Sequence, residues 1–207
     1  MKRSFLKYWI FFILFSHDFI LFSQSEKQKL KLHEITEQYF GTNTEDQYIN
    51  KTIEDFKKTG FVCDTLISKT DTSLFYYRGY STTFNPFQIP LSKIEIQFRE
   101  NKIQVHGEKT ARDTILVLQI LGITNSSTEN KDRIMDEIKR ISKQLIDVFP
   151  FYNHVKSSKR SKRPYESFDF KIFSAPYPTL ILGFGPYYQN PKIHCIDIVI
   201  NYKLKIE

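Results

Sequence analysis

The sequence predicts an α+β fold: a mostly antiparallel sheet of about six to eight strands, with two main helices packed on one face, after an N-terminal signal-like segment. Three observations carry this. Apolar residues alternate with polar ones in Lys93–His106 and again in Ile193–Ile206, the period of a strand. Apolar residues recur at spacings of three and four at Ile49, Ile53 and Phe56, and at Ile134, Ile138, Ile141, Leu145 and Val148, the period of a helix. The strands follow one another in runs and do not alternate with helices, which favours an antiparallel sheet over repeated βαβ units.

Taken in order, Leu32, Ile35 and Tyr39 outline a short helix before Gly41. The next helix is better marked. Thr44-x-x-Gln47 forms a capping box, Lys57 and Lys58 suit the negative end of the helix dipole, and Gly60 stands where a left-handed cap belongs. "FVCDTLIS" and "SLFYYRGY" then read as strands separated by a polar turn, and "FNPFQIP" as a loop. Lys93–His106 reads as a hairpin with its turn at Glu100-Asn101, which sets Phe98 opposite Ile103 and Glu95 opposite His106. Thr114–Ile123, "TILVLQILGI", is apolar almost throughout and suits a central strand covered on both faces. A long helix follows Ser126-x-x-Glu129 and ends before Pro150. "SFDFKIF", "TLILGF" and the last strand from Ile193 complete the chain, with a tight turn at Gly183-Phe184-Gly185. The expected order is helix, five strands, helix, three strands, with no internal repeat.

The chain has 207 residues, 41% apolar and 15% aromatic. That is enough for one domain with a sizeable core. Lys2, Arg3 and Lys7 precede the apolar stretch Tyr8–Phe15, and Ser23 offers a small residue for cleavage before Gln24. Residues 1–23 therefore read as a signal peptide and 24–207 as a single domain, placing the protein in the periplasm or outside the cell. The alternative is a membrane anchor over residues 5–22. That stretch is short against the roughly 20 residues of a span, and Asp18 inside it would cost about 2.5–3.5 kcal/mol to insert. Contact with a membrane is expected only if this segment is retained.

The net charge of +7 is moderate for the length and does not mark a dedicated polyanion binder. The exception is "VKSSKRSKRP", where Lys156, Lys159, Arg160, Lys162 and Arg163 stand close together. Such a run reads first as a solvated loop; as a binding surface in an exported protein it favours an acidic protein, a lipid headgroup or a polysaccharide over nucleic acid. A second candidate surface is aromatic. Tyr80 and Phe84 close one aromatic stretch, and Tyr187 and Tyr188 form another, with the rigid ring and polar tip common in binding patches.

Catalytic signatures are not evident. The chain contains no H-E-x-x-H, G-x-S-x-G or P-loop motif, and its histidines and cysteines have no zinc spacing. No cofactor and no metal are expected. Cys63 and Cys195 both fall in strand-like segments. A disulfide between them is allowed in an oxidising compartment and would be worth about 4–5 kcal/mol in the chain-entropy account. The alternative is two buried free thiols. His194 and Cys195 are adjacent on a strand and point to opposite faces, which argues against a dyad. Asp197 interrupts the apolar last strand on the face of Cys195 and Val199; it is expected at an edge or in a polar network, and burial would raise its pKa unless it is paired. The functional expectation is a binding or interaction module acting on an unknown protein or anionic ligand. The alternatives are an exported hydrolase with an unrecognised site, and a binder of an anionic polymer or membrane surface through 156–163.

Overall fold

The computed structural model describes residues 26–42, 49–63, 73–104, 112–125, 129–150, 152–156, 165–171, 179–187 and 189–203. Helix α1 spans residues 26–40, α2 Ile49–Lys58 and α3 Glu129–Ile146. The strands are β1 Val62–Cys63, β2 Ser73–Ser81, β3 Lys93–Gln104, β4 Arg112–Ile123, β5 Tyr152–Lys156, β6 Glu166–Phe170, β7 Leu180–Tyr187 and β8 Asn190–Lys203. They form one eight-stranded sheet in the order β1-β2-β3-β4-β8-β7-β6-β5, antiparallel throughout. The α+β class is as expected.

The topology repeats where the sequence does not. A helix followed by a four-stranded meander occurs twice, as α2-β1-β2-β3-β4 and as α3-β5-β6-β7-β8. Each meander starts at an outer edge and ends at the centre, where β4 and β8 pair. The apolar runs of β4 and β8 therefore lie at the centre of the sheet, each flanked on both sides.

One large buried cluster joins the helices to the sheet. From β3, β4 and β8 it takes Ile94, Ile96 and Phe98, then Leu116, Leu118 and Ile120, then Ile196, Ile198 and Ile200. These residues share one face because partners across the ladder do: Ile96 pairs with Ile120, and Ile120 with Ile198. From the helices come Leu32, Ile35 and Tyr39, Phe56, and Ile134, Ile138, Ile141 and Leu145. A polar tie crosses the helices. The buried Glu137 carboxylate accepts from Arg140 at 2.7 Å and from the Gln88 amide at 2.9 Å, and Arg140 reaches the Tyr39 hydroxyl at 3.3 Å.

A local signal accounts for the C-terminal end of α2. Gly60 has φ 86°, its amide bonds the Lys57 carbonyl, and the Phe61 amide bonds the Phe56 carbonyl. This is a Schellman motif, closed by the Phe56–Phe61 ring contact. The Thr44–Gln47 capping box lies outside the described residues, as does the segment 1–25. Among the described residues no helix is long and apolar enough to cross a membrane.

Four expectations about elements are corrected. β3 runs straight through Glu100-Asn101 with no turn, because it is paired on both sides: Glu100 with Leu74 and Leu116, Asn101 with Ser73 and Ile115. Glu95 therefore faces Tyr80 and Leu121, and His106 lies outside the described residues. Gly183-Phe184-Gly185 is no turn either; it lies within β7, with Gly183 opposite both Asp197 and Ser167. The order is two runs of four strands, since β5 is a strand that shows no alternation: all five of its residues are exposed. The helix before Gly41 is longer than its apolar residues outline, and Gly41 ends it with φ 65°.

Candidate functional site

The face of the sheet opposite the cluster holds the unexpected chemistry. One row crosses all eight strands on that face: Val62, Tyr80, Glu95, Leu121, Asp197, Gly183, Ser167 and Val155. Two carboxylates stand in it on either side of Leu121, each between isoleucines that point the other way, Ile94 and Ile96, and Ile196 and Ile198. Both are buried, Glu95 to 3% exposure and Asp197 to 7%. Their backbones are two strand spacings apart, roughly 9–10 Å.

Glu95 is held on one side only. Its Oε1 accepts from the Lys93 ammonium at 2.8 Å and from the Tyr187 hydroxyl at 2.7 Å. Its Oε2 is buried and has no hydrogen-bond partner. Lys93 also stands 5.0 Å from the centre of the Tyr80 ring, a cation–π distance. Tyr187 comes from the end of β7, and its ring packs with Leu121, Ile123 and Cys195, with Ile193 against them. The result is an apolar wall with a half-used carboxylate beside it.

Asp197 is held on both sides. Tyr165 donates to Oδ1 at 3.3 Å and Gln119 donates to Oδ2 at 3.2 Å. Burial pushes its carboxyl up to about 6, against hydrogen bonds from Tyr165, Gln119 and the backbone amides of Asp197 and Gly183. Gln119 in turn accepts from Arg99 at 3.3 Å, and burial lowers the Arg99 pKa. Burial, then the neighbouring Asp197 charge, keeps the Tyr165 phenol protonated well above its ordinary range. Gly183 makes this arrangement possible: a Cβ at that position would strike the Tyr165 hydroxyl and the Asp197 carboxylate.

The sequence-derived candidates divide. Tyr80 and Tyr187 are brought together at Glu95. Phe84 is not; it packs against the helix-side cluster with its ring 5.2 Å from Phe61. Tyr188 lies outside the described residues. Lys156 ends β5 at the far edge of the sheet and pairs with Glu166 at 3.2 Å. Lys159, Arg160, Lys162 and Arg163 lie outside the described residues. His154 stacks on Phe168 and meets Glu166 at 2.6 Å. Burial, then the Lys131 charge, lowers the pKa of His194. Among the described residues no group of three or more His, Cys, Asp or Glu could hold a metal ion.

The disulfide is a correction. Cys63 and Cys195 form no disulfide: Cys63 is exposed on β1 and Cys195 is buried on β8. Four strand spacings separate β1 from β8, roughly 19 Å, against the 4.4–6.8 Å between Cα atoms that a disulfide needs. The Cys195 thiol is pushed up to about 12 by burial and the Asp197 charge, which makes it a poor nucleophile.

Glu95, Lys93, Gln119, Tyr165 and Gly183 were not candidates in the sequence. One signal pointed to Lys93 and Glu95, and none to Gln119, Tyr165 or Gly183. A strand buried on both faces, as Thr114–Ile123 is, shelters the inward polar positions of its neighbours too, so "KIEIQFR" beside it could not keep all its charges in water. Against this geometry, no protein-family model, curated protein or solved structure matches the chain.

Proposed function

We propose that the protein works by binding and not by turnover, in the periplasm or outside the cell, and that its binding centre is the group Tyr80, Lys93, Glu95 and Tyr187. The supporting observation is the bare Oε2 of Glu95. A buried acceptor without a donor costs about 1–3 kcal/mol, more when charged, and a ligand N–H or O–H at that atom recovers it. The wall of Leu121, Ile123 and the Tyr187 ring favours a ligand with an apolar body. Export rests on the residues of the N-terminal segment alone.

Thermal-shift measurements with small donors of three kinds, alkylamines, alcohols and primary amides, test the centre. The wild type is expected to be stabilised by at least one kind, and Glu95→Gln to lose that response while keeping its own melting temperature within a few degrees. No response in the wild type, or an equal one in the variant, overturns this reading. Export is tested separately by the intact mass of the protein from its own host, where loss of residues 1–23 is expected and a full-length mass refutes it.

A hydrolase is the second reading. It draws on one observation, a pair of buried carboxylates on the same row with Asp197 pushed up to about 6. Turnover of an ester, peptide or glycoside substrate that disappears in both Asp197→Asn and Glu95→Gln would replace the first reading with this one.

A further inference from the structure

We infer that Arg99 on β3 is a second binding centre, separate from Glu95, and that it takes the carboxylate of a small organic acid with a flat apolar body. Arg99 lies on the face of the sheet opposite the helices, in the row Phe75, Arg99, Val117 and Asn201. Glu95 stands on the same strand and the same face, four residues away. At strand spacing that is about 13 Å along the backbone, so the two side chains are distinct centres.

The guanidinium is half-buried and has no anion. Among the described residues Arg99 makes one hydrogen bond, from Nη2 to the Gln119 Oε1 at 3.3 Å, and no carboxylate reaches it. Gln119 has nothing further to offer, since its Nε2 donates to Asp197 at 3.2 Å. Burial lowers the Arg99 pKa, and no neighbouring charge acts against it. Arg140, on the helix side, shows the same side chain with its anion supplied. Its Nε and Nη2 reach Glu137 at 2.8 and 2.7 Å, and that bond raises its pKa. A guanidinium carries its N–H donors in a fixed planar fork and stays charged at ordinary pH. Drawing it partly out of water without an anion is costly, and a carboxylate held edge-on by two of those donors recovers the cost.

Charge and shape select the ligand. The two buried acids on this face are held by other donors, Glu95 by Lys93 and Tyr187, and Asp197 by Tyr165 and Gln119. Arg78 shares the face, opposite Gln97, and adds attraction for an anion. The half-buried Phe75 ring has its centre 6.0 Å from the Arg99 Cζ. A flat acid can put its carboxylate on the fork and lay its body along that ring, which a tetrahedral phosphate cannot do.

The probe is benzoate, titrated at constant ionic strength into the full chain carrying isotope-labelled arginine, beside neutral benzamide and inorganic phosphate. Benzoate is expected to move the Arg99 Nε–H resonance saturably, benzamide to leave it in place, and phosphate to bind more weakly than benzoate. Arg99→Lys keeps the charge and loses the fork, and is expected to weaken benzoate binding about tenfold by calorimetry. Should that variant not fold, the Arg99 resonance of the wild type decides alone. A shift that does not saturate, one confined to other arginines, an equal response to benzamide or tighter binding of phosphate overturns the inference. So does undiminished binding in Arg99→Lys. Glu95→Gln is expected to bind benzoate as the wild type does, so failure of the Glu95 centre leaves this one standing; loss of benzoate binding in that variant would refute the separation.

Discussion

Glu95 and Asp197 occupy the same row of the same sheet, with Leu121 between them and nearly equal burial. Asp197 spreads its hydrogen bonds over both oxygens, from Tyr165 and Gln119, with two backbone amides in addition. Glu95 takes both of its donors, Lys93 and Tyr187, on one oxygen and leaves the other bare. The contrast separates two uses of a buried acid. A carboxylate whose two oxygens are both answered by its own chain fixes the register of the strands around it. One answered on a single side keeps a buried acceptor whose cost its own hydrogen bonds do not remove.

The largest expected effect comes from disturbing the closed side of this comparison. Gly183→Val places a branched side chain where the Tyr165 hydroxyl and the Asp197 carboxylate now sit. Overpacking and the loss of both contacts are expected to cost roughly 3 kcal/mol in urea unfolding. Tyr165→Phe in the Gly183→Val background should recover part of the loss, because it removes the atom nearest the new Cβ, though the ring carbon behind it still crowds the site. A purely additive double variant would mean that Gly183 and Tyr165 do not meet.

Next comes pH. The folded-state pKa of Asp197 lies above its ordinary value of 3.8, at about 6. The native state therefore holds this proton more tightly than the unfolded chain does. The stabilisation is fully present below 3.8 and is lost as pH rises through about 6. A shift of about two units corresponds to roughly 3 kcal/mol across that window. Glu137 and Glu166 act in the opposite direction and lower down. Burial raises each, but hydrogen bonds from Arg140 and the Gln88 amide, and from His154 and Lys156, outweigh it. Their stabilisation is present above the ordinary 4.5 and fades below it. Between pH 4.5 and 6 the wild type should thus lose stability as pH rises, and Asp197→Asn should flatten that slope. A slope unchanged in the variant would place its source elsewhere.

Much of this was legible in the sequence, for physical reasons. The helix-side face announced itself because Ile94, Ile96 and Phe98, and Ile196, Ile198 and Ile200, alternate with polar residues at the strand period. Gly60 marked its cap because a positive φ needs glycine there. The site was not legible. Alternation says that Glu95 and Asp197 point away from the main cluster, but not that a second covered face awaits them. That depends on which strands lie beside β3 and β8, a long-range fact. The Glu100-Asn101 turn failed for the same reason: a local register with matching apolar faces competed with two full ladders and lost. Gly183 read as a turn because glycine usually means backbone freedom, whereas here it means clearance for two side chains.

The open side yields smaller changes, and they discriminate more finely. Glu95→Gln keeps an acceptor for Tyr187 and loses the charge facing Lys93, which stays partly in water; the cost should be about 1 kcal/mol. Any ligand-induced stabilisation should vanish with it.

Tyr187→Phe and Tyr165→Phe each delete one hydroxyl donor to a buried carboxylate, so each should cost about 1 kcal/mol. Their further effects should differ. Tyr165→Phe removes a hydrogen bond that holds the Asp197 pKa down, so the midpoint of the pH-dependent loss should move upward. Tyr187→Phe leaves Lys93 on Oε1 and leaves Oε2 as bare as before, so a ligand donor that answers Oε2 should still stabilise the variant. If Tyr187→Phe abolishes the response as fully as Glu95→Gln does, the phenol itself is the ligand contact, and the bare oxygen is not what the site is built around. Retention in Tyr187→Phe with loss in Glu95→Gln would assign recognition to Glu95 Oε2.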